Sequence, residues 1–465
     1  MQSLKRRKNG AAAADICAAT ALPLSKVREL LPKAADEYSG HLQVTQSGEI
    51  LYTFPSGFTS RYRGFSAVIK RLSEKCASLI KKLFIFLFKV WIMVMLIGYF
   101  ILFLALAVAS VVISVSARSS GRGGGGRSKT SVNFGLFDIL WRLWFYNEMT
   151  KSRYDYEPVM RKEKSRQPLY KAVFSFVFGE DEPNREWEER ENKAIIEYIQ
   201  AKRGVISIVE YMAFSGKDSL EAEESILSFC VKFGGSPEVT DEGTIVYRFD
   251  DLLLRADSKN FAELSPPVKR LKIFSANLKK MNAGLIIINA VNLIFGSYFL
   301  YHSFTPEPSS YLYGVIYHLM EVFTSDPASI IRVALGLIPF VFSVLFWLIP
   351  AVRRFLMGKE NENIKLVNFK RLGFSKIWQS PNNVETGSLV PSAAECRPKN
   401  PAAAGDRVIK DMSAVSRVEV EQGENGKMFY SFTELEKEKR ALEKYRLSID
   451  PVRAKLGETV FDSNS

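Results

Sequence analysis

The chain has 465 residues, enough for two to four domains. Hydrophobic residues make up 47% of it and charged residues 24%, which excludes an even spread of apolar side chains and requires them to be concentrated in blocks. Only three histidines (His41, His302, His318) and four isolated cysteines are present; no metal-ligand or His–carboxylate spacing forms, so neither enzyme chemistry nor a cofactor is expected.

The first 30 residues open with a basic arm, Lys5, Arg6, Arg7 and Lys8, and lack an apolar core of signal-peptide type. The basic, Ala-rich opening would suit the remnant of an organelle transit peptide, but it runs unbroken into sequence that reads as folded. Residues 11–59 make a first module. AAADICAATAL (12–22) predicts a short helix, and LSKVRELLPKAADEY (24–38) predicts another with Leu24, Val27, Leu30, Leu31 and Ala34 at helical spacing. YSGHLQVTQSGEILYTF (38–54) then alternates apolar residues at period two around Gln46-Ser47-Gly48, the pattern of a two-stranded hairpin. Lys26 and Arg28, together with the basic arm, are candidate contacts for anionic lipid or nucleic acid.

Residues 83–116 form the first membrane segment, with Lys89 as its one charge up to residue 115. At about 50 Å as a helix it is longer than one crossing needs. Both flanks are basic (Lys81 and Lys82 before it, Arg118 and Arg122 after it), which favours a helical hairpin turning near Gly98 over a single long tilted helix. A Gly-rich linker (117–131) follows. Residues 132–180 form an aromatic amphipathic region, FGLFDILWRLWFYNEM (134–149) and LYKAVFSFVFG (169–179), suited to the bilayer interface or to packing on the spans. EDEPNREWEERE (180–191) reads as a solvated helix start rather than a calcium loop.

Residues 190–254 make a second module. Two predicted helices (192–216) precede DSLEAEESILSFCVKF (218–233), capped by Asp218 or Ser219. The hairpin FGGSPEVTDEGTIVYRF (233–249) aligns with 38–54 without a gap. Transmembrane helices are predicted at 282–302 and 329–351. The connecting 303–328 carries acids and no Lys or Arg, so it faces outward while the basic flanks face the cytoplasm or its organelle equivalent. Arg332 lies near enough to its span's end to snorkel outward. In the C-terminal region (352–465), residues 378–404 read as loop or disorder. RVEVEQGENGKMFYSF (417–432) is a third hairpin, and 432–446 a charged, solvated helix.

The three hairpins share a Gly-x-apolar-apolar-Tyr-x-Phe pattern. Its anchors are Gly48, Ile50, Tyr52 and Phe54; then Gly243, Ile245, Tyr247 and Phe249; then Gly426, Tyr430 and Phe432. Helix, turn, helix, hairpin is the order of a winged-helix unit. The predicted fold class is therefore an α+β membrane protein, with repeated winged-helix-like modules attached to a few transmembrane helices. Winged helices suggest DNA, but Asp218, Glu221, Glu223 and Glu224 crowd the end of the helix that would enter a groove. The basic excess sits beside the membrane, with 14 basic against 6 acidic residues up to Lys82. Anionic headgroups are the simpler partner there.

LYKAVFSFVFGEDEPNREWEER (169–190), the three wings and LWRLWFYNEM (140–149) after the Gly-rich linker together resemble a poorly characterised family. Its members are integral membrane proteins of cyanobacteria and chloroplasts, with relatives in other bacteria. The resemblance implies a bacterial inner-membrane or chloroplast-membrane location, with the soluble modules mainly on the cytoplasmic or stromal side. Some plant relatives carry an iron–sulfur-biosynthesis label, yet Cys17, Cys76, Cys230 and Cys396 lack the grouping that cluster ligation needs. The expected function is a non-enzymatic scaffold or regulator whose partners are membrane lipids and an unidentified protein. Nucleic acid is not an expected partner and no small-molecule substrate is evident. A membrane-tethered nucleic-acid-binding regulator is the alternative, and a transport-associated or iron–sulfur-assembly component a weaker one.

Overall fold

The structure, a computed structural model, describes residue 4 and residues 10–54, 65–119, 168–256, 265–305, 310–423, 426–449 and 456–463. Side chains are described there except at 65–75 and 114–119. The basic arm Lys5 to Lys8, most of the Gly-rich linker and the aromatic stretch 134–149 lie outside the described residues.

In chain order the elements are α1 (Ala13–Thr20), α2 (Leu24–Glu37), β1 (His41–Thr45), β2 (Ile50–Thr53) and α3 (Phe65–Ser119). Next come α4 (Leu169–Phe178), α5 (Trp187–Ala201), β3 (Val205–Ser207), α6 (Ile208–Ser215), α7 (Ser219–Phe233), β4 (Ser236–Val239) and β5 (Ile245–Arg248). Then α8 (Lys279–His302), α9 (Tyr311–Glu321) and a π-helical turn (Ile331–Leu337) lead into α10 (Ile338–Gln379). The chain closes with β6 (Val384–Glu385), α11 (Pro401–Ser413), β7 (Glu419–Gln422), β8 (Met428–Ser431), α12 (Thr433–Ser448) and β9 (Thr459–Asp462).

Two compact units result. One gathers 1–72, 182–272 and 358–465; the other gathers 73–181 and 273–357. The first has a main hydrophobic core to which all three stretches contribute: Ile16, Val27 and Tyr52, then Ile199, Met212, Ile226 and Phe249, then Phe369, Val408 and Phe432. Local sequence places its helices. Ser207 and Glu210 satisfy each other's backbone N–H groups at the start of α6, Asp218 accepts from Glu221 N at the start of α7, and αL glycines (Gly216, Gly234) end both.

Three small antiparallel sheets surround this core, in strand orders β2-β1-β9, β3-β5-β4 and β6-β8-β7. Each contains a hairpin: Val44 faces Ile50, Val239 faces Ile245, and Gln422 faces Met428. A further backbone segment pairs with the second hairpin strand at its tyrosine each time. Ala11 faces Tyr52, Ile206 faces Tyr247 and Val384 faces Tyr430.

In the second unit, α3 and α8 supply membrane-length helices, and a third runs through Pro327–Gln379. Phe103, Phe295 and Phe299 stack at one level of this unit. At another, Phe176 of α4 stacks on Phe346 and packs with Ile92 and Leu285.

Five expectations need correction. The hairpin turn near Gly98 is not formed: α3 continues through it as one 55-residue helix. An isolated glycine lowers helix stability by about 1 kcal/mol, too little to break a helix without a second turn residue. The helix expected to stop at 351 continues to Gln379, Pro350 notwithstanding. Residues 303–328 include α9, whose Tyr313 and Ile316 are buried with Phe103 and Phe299. Residues 378–404 are ordered rather than loose, because Val384, Leu389 and Cys396 are buried. The charged helix 432–446 is likewise not merely solvated, since Leu435, Ala441 and Leu442 face inward.

Candidate interaction surfaces

The aromatic anchors of the hairpins are packed structure. Tyr52, Tyr247, Phe249 and Phe432 are buried, Phe54 and Tyr430 half-buried, and Ile50 and Ile245 exposed. Alternation puts Ile50 with Tyr52 and Ile245 with Tyr247 on one strand face, so the split follows position along the strand. The exposed isoleucines pair with Val44 and Val239 at the turn end of each hairpin, and the buried aromatics lie farther from the turn. Gly48, Gly243 and Gly426 take positive φ in open turns, where a side chain would be strained by the backbone and not by neighbours. Gly40 and Gly235 have another reason to be glycine: the Phe54 and Phe249 rings lie where a Cβ would stand.

The basic candidates divide. Lys26 is exposed, whereas the Arg28 guanidinium is held between Glu49 at 2.7 Å and Asp251 at 3.2 Å. Asp251 belongs to the second module, so Arg28 joins two parts of the chain. The exposed side of α7 carries no compensating cation stripe. Glu221, Glu223 and Glu224 are exposed there, beside Leu220 (75% exposed), Leu227 (51%) and Val231 (87%). Residues 220, 224, 227 and 231 share one helix face, opposite Ala222, Ile226, Phe229 and Phe233 in the core. The outward face is therefore apolar with an acidic border.

Two buried ionic clusters hold the C-terminal half against the second module. Arg371 of α10 is fully buried, pairs with Glu191, donates to Ser215 O at 2.8 Å and lies 4.5 Å from the Trp187 ring centroid. Arg446 of α12 donates to Glu210 Oε2 at 2.6 Å and Val205 O at 2.8 Å. Tyr198 OH donates to Glu210 Oε1 at 2.6 Å. Burial, with the Glu210 carboxylate nearby, pushes the Glu438 carboxyl up to about 7. Tyr445 bonds Glu238 and Lys444 pairs with Glu242, so α12 is fastened along the hairpin of the second module. Sequence reasoning missed both arginines, since their partners lie 180 and 236 residues away.

Within the second unit, Asn289 and Asn292 of α8 are fully buried. Their amides donate to Ser343 O at 3.0 Å and Leu96 O at 2.7 Å, tying α8 to both other long helices. Arg332 donates to Ser303 O at 2.9 Å with its guanidinium over Phe304, at the end of α8. Arg353 donates to Phe176 O and Phe274 O, each at 2.8 Å, satisfying a carbonyl at the C-terminus of α4. Cys17, Cys230 and Cys396 are buried, and burial pushes the Cys17 thiol up to about 12. Among the described residues no three His, Cys, Asp or Glu side chains are grouped to hold a metal.

The chain is similar to an uncharacterised chloroplastic protein of Arabidopsis thaliana, with 26% identity over 394 residues that cover 79% of this chain and 70% of that one. No protein-family model and no solved structure matches it.

Proposed function

We propose that this protein is a non-enzymatic integral membrane scaffold that presents winged-helix-like modules to a protein partner at one membrane face. The observation that carries the reading is the outward side of α7, the helix that would enter DNA in a winged-helix protein. It offers Leu220, Leu227 and Val231 between Glu221, Glu223 and Glu224. Phosphates would be repelled there, whereas an amphipathic, basic protein segment would find apolar contact and charge complementarity. The winged-helix reading is supported by the three sheets, in which a segment before the helices pairs with the hairpin at its tyrosine. The chloroplastic relative and the three membrane-length helices are compatible with a chloroplast membrane.

A photo-crosslinking residue at Leu227 in the full chain, in native membranes, tests the surface. Discrete protein adducts are expected, and they should disappear when Leu220 and Val231 are both changed to Lys. DNA titrations at about 50 and 200 mM salt, where phosphate contacts reveal themselves, give the opposing outcome. Sequence-selective DNA binding that survives the higher salt would replace the scaffold with a membrane-tethered regulator.

A single compartment for both modules is supported by the shared core. Ile16 and Tyr52 pack in one cluster with Met212 and Phe249, so the modules belong in one compartment, cytoplasmic or stromal by the basic flanks. With α3 one continuous helix, a shared compartment requires either a second crossing before residue 182 or that α3 does not cross. Cysteines introduced at Ser47 and Glu242 should therefore react with a membrane-impermeant thiol reagent from the same side. Labelling from opposite sides would mean that the common core does not form in the membrane.

A further inference from the structure

We propose that the outer edge of β1 is a docking site for an extended peptide segment of a partner protein, with the chain's own residues 456–463 as its exchangeable resident occupant. β9 lies antiparallel on that edge, Val44 facing Phe461 and Gln43 facing Asp462, with a register shift between Val44 and Thr45. Main-chain bonds extend the contact past the strand: Gln46 N donates to Glu458 O at 2.9 Å, Ser47 N to Leu456 O at 3.2 Å and Ser463 N to Leu42 O at 3.0 Å. Gln43 Nε2 adds a bond to Asp462 Oδ2 at 2.9 Å.

What β9 lacks is side-chain burial. Val460 is 69% exposed and Phe461 58% exposed; Leu456 alone is buried. A strand held by backbone bonds with little apolar burial belongs to the low-stability end of a structure and opens locally at small cost. Its backbone bonds are available to any extended segment, which is the basis of recognition by strand addition.

The comparison within the chain sharpens the assignment. The corresponding outer edges in the other two sheets are guarded. β4 contains Pro237, which has no N–H to offer, followed by Glu238; β7 alternates Glu419 and Glu421. β1 reads His-Leu-Gln-Val-Thr, with no proline, lysine or carboxylate to repel a partner strand. The segment that fits runs antiparallel to β1, pairs its backbone with Leu42, Val44 and Gln46, and places a carboxylate or other acceptor opposite Gln43. β-Branched or aromatic residues suit the exposed positions.

The inference rests on the scaffold reading for its partner, while the edge itself is tested alone. A fluorescent peptide of residues 456–463 is titrated, by anisotropy, into the detergent-solubilised full chain and into a chain lacking 456–465. Saturable binding to the shortened chain is expected, with binding to the full chain at least about tenfold weaker because its own tail competes. Methylating the Phe461 amide nitrogen of the peptide should abolish binding, since that N–H faces Val44. If the shortened chain does not fold, Phe461→Pro in the full chain removes the same donor and frees the edge. Absence of saturable binding to both variants, or equal binding of the N-methylated peptide, overturns the proposal. Either result leaves the Leu227 crosslinks untouched, so this site and the scaffold reading fail separately.

Discussion

Phe249→Ala is expected to destabilise the first unit by about 3–5 kcal/mol, the range for deleting a buried aromatic side chain. The ring is fully buried, packs edge-on to Phe229 at 5.7 Å between centroids and covers Gly235. Its backbone N–H also donates to Gly204 O at 2.8 Å, so the residue joins the end of the hairpin to the start of β3. Removing the side chain leaves that bond in place, and the loss reports packing alone. Ile245→Ala, two strand positions from the buried Tyr247, is the internal control: Ile245 is exposed and its truncation should stay within about 0.5 kcal/mol. Urea midpoints of the solubilised chain, read by proteolytic susceptibility of the first unit, separate the two. Equal midpoints for both variants would show that the hairpin is not packed as described.

Arg446→Met should cost about as much, roughly 3–5 kcal/mol, because it strands the buried Glu210 carboxylate. Adding Glu210→Gln should recover part of that loss by removing the unpaired charge. An additive double variant would mean that the two groups are not coupled. The same cluster gives the first unit a pH dependence. The Glu438 carboxyl is raised to about 7 by burial first and by the Glu210 carboxylate second, with Ser207 opposing. The native state therefore keeps a proton that the unfolded chain releases at ordinary carboxylate pKa. Stability from this group is fully present below about pH 4.5 and is lost as pH rises through about 7, a change on the order of 3 kcal/mol. Glu438→Gln should flatten the stability profile between those limits and leave the variant more stable than the parent at pH 8. An unchanged slope would remove Glu438 from the account.

Periodicity and composition by themselves determined the local features. Runs of apolar residues long enough to cross a bilayer announce α3, α8 and the start of α10, because hydrocarbon demands length and admits few charges. Gly48, Gly243 and Gly426 mark hairpin turns because positive φ is a property of the residue and its immediate backbone. Asp218 announces a helix start for the same reason: cap and backbone are three residues apart.

Everything that depended on distant partners was decided by the tertiary structure. The acidic and basic alternation of 432–446 suits a solvated helix, and only the arrival of Val205, Val246 and Glu210 makes a buried face of Leu442 and Arg446. Arg28 reads as a free cation until Asp251 is brought to it from more than 200 residues away. Val384 and Leu389 lie in a stretch too short and too polar to show a period, yet the shared core buries them. β9 is four residues whose side chains stay mostly exposed, so hydropathy carries no trace of its pairing with β1. Backbone hydrogen bonds are the same for every sequence, and a strand held mainly by them becomes visible only when the edge it completes is in place.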